Sequence, residues 1–166
     1  MASLSADWRG TGGLHIRARA HVDHFSDKVR QKFWASTAPA LAVANGRYVE
    51  SRFAETLFNG EVLALFDKRL SDDWKFSATL GTGLNDRTVN SLRIDSKTAS
   101  LYYPNIFNVA NIVMNSSAYV DEQIDARRQT QSLFATASFK YAESLNLEVT
   151  GRNDWSSTMP KSHRSY

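Results

Sequence analysis

The sequence predicts an all-β protein, an antiparallel up-and-down meander of about six strands that forms an open slice of a large transmembrane β-barrel. Three observations carry this expectation. The stretch from Leu14 to Asp23 alternates without a break, with Leu14, Ile16, Ala18, Ala20 and Val22 on one face and His15, Arg17, Arg19, His21 and Asp23 on the other. That is the period of a strand with one apolar and one charged face. The connections between such stretches are short and long in turn, as in outer-membrane barrels, where tight turns lie on one side of the membrane and long loops on the other. Aromatic residues gather on the apolar face beside the short turns, at the level where amphipathic rings meet lipid headgroups. A soluble antiparallel sheet with one wet face accounts for the alternation alone, but gives no reason for the banded aromatics.

The first strand runs from Ala2 to Arg9, with Leu4, Ala6 and Trp8 on its apolar side, and turns at Gly10 to Gly13. The second spans Leu14 to Phe25 and is followed by a long polar segment, Ser26 to Arg52. Phe53 to Phe66 places Ala54, Phe58, Val62, Ala64 and Phe66 on one face, and a short connection, Asp67 to Asp73, leads to Trp74 to Asn85. A second long segment, Asp86 to Thr130, precedes the strand Gln131 to Tyr141, the turn Ala142 to Ser144 and the strand Leu145 to Arg152. Trp8, Phe66, Trp74 and Tyr141 all adjoin short turns. The charged residues fall on the opposite faces, as lipid enforces when a charge at the bilayer midplane costs roughly 2–4 kcal/mol for Arg or Lys.

Composition narrows the function classes. The chain has 166 residues, enough for one domain, and no cysteine, so neither a disulfide nor a thiolate metal site contributes. Lys plus Arg exceed Asp plus Glu by only 20 to 17, too small and dispersed an excess to indicate nucleic acid. Mean hydropathy is −0.40 and no apolar run reaches the length of a spanning helix, which excludes a helical membrane protein and leaves a barrel open. The amino terminus lacks the basic and apolar regions of a signal peptide, and both ends fall abruptly, so residues 1–166 are expected to be an internal, partial barrel domain without signal peptide, plug or terminal barrel strand.

The run Val149-Thr-Gly-Arg-Asn-Asp-Trp-Ser-Ser-Thr-Met-Pro160 closely resembles the hallmark barrel segment of SusC/RagA-type TonB-linked outer-membrane proteins, in which a final Leu-Pro is commoner than Met159-Pro160. The same family is resembled at Gln31-Lys32 with Ala35-Ser36-Thr37, at Asn45-Gly46-Arg47-Tyr48, at Ile94-Asp95-Ser96 before Leu101-Tyr102-Tyr103-Pro104-Asn105, and at Gln131 to Ala137. The resemblance implies part of a TonB-dependent active transporter in the outer membrane of a Gram-negative bacterium. Such a protein imports oligosaccharides or peptides together with a SusD-type surface lipoprotein lid, and its TonB contacts come from an amino-terminal region absent from this sequence. No cofactor, no enzymatic role and no nucleic-acid partner are expected.

On this reading Arg17, Arg19, Glu61, Lys75, Lys140 and Glu148 face the lumen, where they solvate the interior and screen solutes by charge. Tyr48, Tyr102, Tyr103 and Trp155 are candidate loop contacts to substrate or lid, although packing among loops accounts for the same rings. Lys28, Arg30 and Lys32, interleaved with Phe33 and Trp34, make a basic rim of the kind that binds nucleic acid or an anionic sugar, but no nucleic-acid module accompanies them and a solvated loop face is the expected reading. His15, His21 and His24 with Asp23 are metal-ligand residue types, but His24 lies on the opposite strand face and no second-strand ligand is evident, so they are expected to be lumen-facing polar residues and no metal is expected. Asp154, Ser156 and His163 hold the residue types of a hydrolase triad without its geometry. A glycan hydrolase would need two carboxylates about 5–10 Å apart, and strand register assembles none. The alternative to a transporter is a soluble carbohydrate-binding β-sandwich, which requires a second sheet over the apolar face.

Overall fold

The computed structural model describes residues 1–142 and 144–160. Six strands form one sheet in sequential order: β1 (Ala2–Arg9), β2 (Leu14–Phe33), β3 (Arg47–Arg69), β4 (Trp74–Asp95), β5 (Tyr119–Tyr141) and β6 (Leu145–Ser156). Neighbours are antiparallel, so the predicted meander is the observed fold and a two-sheet sandwich is not. Direct partners in an antiparallel pair share a face, and the β1–β2 register sets Leu4 opposite Ala20, Ala6 opposite Ala18 and Trp8 opposite Ile16, with Asp7 opposite Arg17 on the other face. Between β5 and β6, Phe139 meets Leu147 and Ala137 meets Val149, while Lys140 meets Asn146 and Ser138 meets Glu148.

The strands extend well past the predicted ends. Segments 26–52 and 86–130, expected to be polar loops, are strand at both ends: β2 continues to Phe33, β3 begins at Arg47, β4 reaches Asp95 and β5 begins at Tyr119, leaving connections at 34–46 and 96–118. Alternation reports only a contrast between two faces. Where both faces are polar it vanishes, while backbone pairing, indifferent to side chains, continues. Within β5, Asp125 has φ 50° and donates its amide to the Asn90 side chain at 2.8 Å.

The chain divides into two compact units, the first made of residues 1–23, 56–87 and 127–166, the second of 24–55 and 88–126. In the first unit, among the described residues, no hydrophobic side chain is fully buried; Leu4, Trp8, Leu80, Leu133, Leu147 and Val149 are exposed. Burying one such side chain is worth about 1.5–3 kcal/mol, so this face is built for an apolar cover the sheet does not itself supply. Rings collect at its short-turn end, with Trp74 4.8 Å from Tyr141 and Phe76 4.7 Å from Phe139, centroid to centroid.

The second unit has a true core of Tyr48, Ile94, Leu101 and Ile112, with Leu92, Phe107, Val109 and Ala118 against it.

The short turns close by local bonds. Gly10 donates to the Leu14 carbonyl at 2.8 Å, Leu70 to that of Trp74 at 2.9 Å, and Ser144 to that of Tyr141 at 3.0 Å. Glu143, in the predicted 142–144 turn, lies outside the described residues. Gly13 has φ 93°, and a Cβ there would sit inside the Asp67 carbonyl. Gly13→Ala is therefore expected to destabilise the full-length protein by about 1–3 kcal/mol, read as a lower temperature for loss of the folded band in a heat-modifiability gel.

Candidate functional site: a polar sheet face and a buried carboxylate cluster

In the first unit the polar face of the sheet is organised by ion pairs across and along strands. Asp7 accepts from Arg17 Nε at 2.8 Å and lies 3.0 Å from His15 Nε2, and His21 pairs with Asp23 at 2.9 Å. Arg19 and Glu61 line a recess of about 430 Å³ with Asn59, Asn85, Ser132 and Phe134. Its floor exists because β4 carries glycine where β5 carries bulk. A Cβ on Gly81 would enter the Phe134 ring, and one on Gly83 would stand 2.7 Å from the Ser132 hydroxyl. The Arg152 guanidinium lies 5.9 Å from the Phe134 ring centre. Lys75 and Lys140 line a second recess of about 580 Å³ with Asp67, Lys68, Ser138 and Asn146. Glu148 stands opposite Ser138.

Among the described residues, the second unit holds the most buried charges. Glu50 is 4% exposed and accepts from Tyr48 Oη at 2.5 Å, from Arg52 Nε at 2.6 Å and from Arg30 Nε at 3.2 Å, with Lys28 Nζ at 3.3 Å. The Tyr48 hydroxyl, against the opposing effect of burial and with Arg52 and Lys28 adding to it, holds this carboxyl at about 2. Burial, then the neighbouring carboxylate, pushes the Tyr48 phenol up, so it stays protonated and donates. Asp95 is the second buried acid. Burial raises it, but the two-pronged Arg47 contact at 2.9 and 2.8 Å, the Lys97 amide and Arg93 outweigh that and keep it below the ordinary range.

Of the family-like motifs, those at 31–37, 45–48, 94–96 and 101–105 meet in this unit, while 131–137 and 149–160 belong to the first. The Asn45 side chain donates to the Leu101 carbonyl at 2.7 Å, Tyr48 donates its amide to Ser96 Oγ at 3.1 Å, and Ala35 donates its amide to the Asn105 side chain at 2.7 Å. Gly46 has φ 97° with a would-be Cβ 2.6 Å from the Phe33 carbonyl. Asn111, which no sequence motif singles out, closes the 96–118 connection by donating to the carbonyls of Tyr103 and Ile106, both at 2.7 Å, and accepting from the Tyr103 amide at 3.0 Å.

The predicted aromatic contacts separate. Tyr48 is a β3 residue, 2% exposed, and is corrected from a loop contact to a core side chain. Trp155 belongs to β6, opposite Gln131, and not to a loop. Tyr102 and Tyr103 are in the 96–118 connection and are 62% and 67% exposed. Among the described residues no three His, Asp or Glu side chains converge on a point that could hold a metal. Asp154 is engaged by Arg152 at 2.9 Å and Ser156 lies 2.9 Å from Thr158, while His163 lies outside the described residues.

The Glu50 cluster has a pH signature. The carboxyl binds its proton less readily folded, at about 2, than unfolded, at the ordinary value of 4.5. Its contribution is thus fully present above pH 4.5 and is lost as pH falls from there towards 2. Thermal unfolding of wild type and Glu50→Gln across about pH 7 to 2 should show the wild type losing the more stability at the acid end of that range; parallel curves would contradict the assignment.

No protein-family model matches the chain, and no curated protein matches it by sequence. Solved structures do share its fold. It is similar to a chain of the RagAB peptide transporter, with TM-score 0.83 and 15% identity over 99% of this chain and 18% of that one. The RagAB peptide importer in its "closed-closed" state gives 0.82 and 16%, and in its "open-open" state 0.83 and 15%, with the same coverage of 99% and 18%. The chain spans less than a fifth of the chains it matches, and at such identity the likeness is one of fold: its six strands follow the course of one segment of a peptide-transporter chain.

Proposed function

We propose that residues 1–166 are part of the β-barrel domain of an outer-membrane active transporter of a Gram-negative cell, a wall segment whose role is solute passage and not catalysis. The observation that carries this reading is the first unit's two-faced sheet, with one uncovered apolar side banded by aromatics and one side laced with ion pairs. Hydrocarbon on one side and a watered lumen on the other satisfy it. The outer edges of β1 and β6 then pair with further strands of the same barrel, since an open edge leaves backbone groups unsatisfied in lipid.

The motif resemblance and the fold likeness together support finer assignments. TonB supplies the energy through a region outside this chain, and a SusD-type surface lipoprotein forms the lid. The RagAB likeness supports peptide as the cargo over oligosaccharide. Arg17, Arg19, Glu61, Lys75, Lys140 and Glu148 face the lumen, where the 430 Å³ recess offers both signs of charge beside an aromatic ring. Such a surface suits peptide, which carries both charges and apolar groups. Tyr102 and Tyr103 are the aromatic contacts to lid or cargo.

Two measurements test the reading. In the full-length protein, Ala18→Cys should react with a lipid-soluble thiol reagent and Arg17→Cys with a water-soluble one; the reverse pattern would show the faces inverted. Removing residues 97–117, which lie inside the 96–118 connection, should abolish uptake or lid docking while the heat-modifiable barrel still inserts. Undiminished substrate-dependent growth would refute a role for that connection, and lost insertion would make it wall.

A further inference from the structure

The basic rim of Lys28, Arg30 and Lys32 is sorted by the structure into two parts. Lys32 leaves it, lying 5.9 Å from the Phe107 ring centre. Lys28 and Arg30 of β2 instead join Arg52 of β3 around a single buried carboxylate, Glu50. The Lys28, Arg30 and Arg52 side chains are 40%, 53% and 57% exposed, while that of Glu50 is 5% exposed. We propose that these three side chains form an anion-binding site for a phosphate monoester.

The chemistry follows from donor and charge counts. A guanidinium carries five N–H donors and an ammonium three. Glu50 takes only Nε of Arg30, Nε and one terminal nitrogen of Arg52, and one approach from Lys28. Both terminal nitrogens of Arg30, one of Arg52 and the rest of the Lys28 ammonium remain for a ligand. Three cations against one carboxylate leave two positive charges unmatched, which suits a phosphate monoester carrying about −1.5 to −2 at pH 7 and three acceptor oxygens. A single carboxylate would neutralise only half of that surplus.

Glu50 also fixes the cations before any ligand arrives. It is held from below by the buried Tyr48 hydroxyl at 2.5 Å, and Tyr48 belongs to the unit's hydrophobic core. The flexible stems of Lys28, Arg30 and Arg52 are thereby tethered at their heads, which reduces the ordering cost that weakens ordinary surface cation patches.

A phosphate monoester has two sources, a free phosphorylated solute or a phosphorylated lipid headgroup, and the experiment separates them. The full-length protein in detergent is titrated calorimetrically with inorganic phosphate, and reconstituted protein is tested for retention of nanodiscs containing phosphatidic acid or only phosphatidylcholine. Phosphate binding that weakens with salt establishes a site open to free solute. Retention of phosphatidic acid discs alone assigns it to headgroups. Binding of neither probe overturns the proposal. The Lys28→Gln/Arg30→Gln double variant, which leaves the Arg52 and Tyr48 contacts to Glu50, should lose at least tenfold in affinity, and unchanged affinity also overturns it. Should the double variant fail the heat-modifiability test of folding, Lys28→Gln alone, removing the 3.3 Å contact, should still weaken binding severalfold.

Discussion

Everything in this molecule depends on the period of two that backbone pairing imposes. Once the amides and carbonyls of a strand are spent on its neighbours, successive side chains must point to opposite faces, whatever their chemistry. The β1–β2 register shows the consequence: Leu4, Ala6 and Trp8 align with Ala20, Ala18 and Ile16 on one face, and the same ladder carries Asp7 to Arg17 on the other. A one-residue slip would bring each charge to the apolar side. Such a slip costs several kcal/mol per charge in hydrocarbon and far less in water, so a membrane environment makes the register close to obligatory.

The two units solve the burial problem differently. The first leaves its large apolar side chains uncovered and forms no hydrophobic core of its own among the described residues, which is possible only where something other than the sheet supplies the cover. The second encloses Tyr48, Ile94, Leu101 and Ile112 beneath its connections and buries two carboxylates with their cations. Its polar network is complete, since among the described residues no buried side-chain nitrogen or oxygen lacks a partner. A half-satisfied network would be worse than an apolar core.

The architecture is legible in the sequence because it rests on contrast between faces: strand number, order and antiparallel sense, the short turns and the segregated charges can all be read from alternation and glycine placement. The strand ends cannot. Around Lys28, Arg30 and Gln31, or from Glu122 to Arg128, the scattered Val29, Ile124 and Ala126 make no sustained apolar face, so nothing in the pattern distinguishes paired strand from solvated loop. Tyr48 misleads for a related reason. It lies among polar residues, yet its ring is enclosed by Leu101 and Ile112, which arrive from more than fifty residues away, and no local pattern reports such a contact. Asn111 is invisible too, because its three bonds to its own connection depend on the fold of that connection alone.

The motif residues gain a physical meaning from this arrangement. Asn45 supplies a side-chain bond to Leu101, Gly46 a left-handed turn beside Phe33, Arg47 a two-pronged grip on Asp95, and Tyr48 a phenol on Glu50. Ser96 returns the contact by accepting the Tyr48 amide, and Asn105 ties back to Ala35 and to the Asn45 carbonyl. These residues therefore brace one another across the strand ends. Removing one partner from a buried, paired set strands the other, which costs about 3–5 kcal/mol for an ion pair, far more than the pair itself contributes. A segment under that constraint tolerates few single substitutions, because each buried partner is held in place by the others.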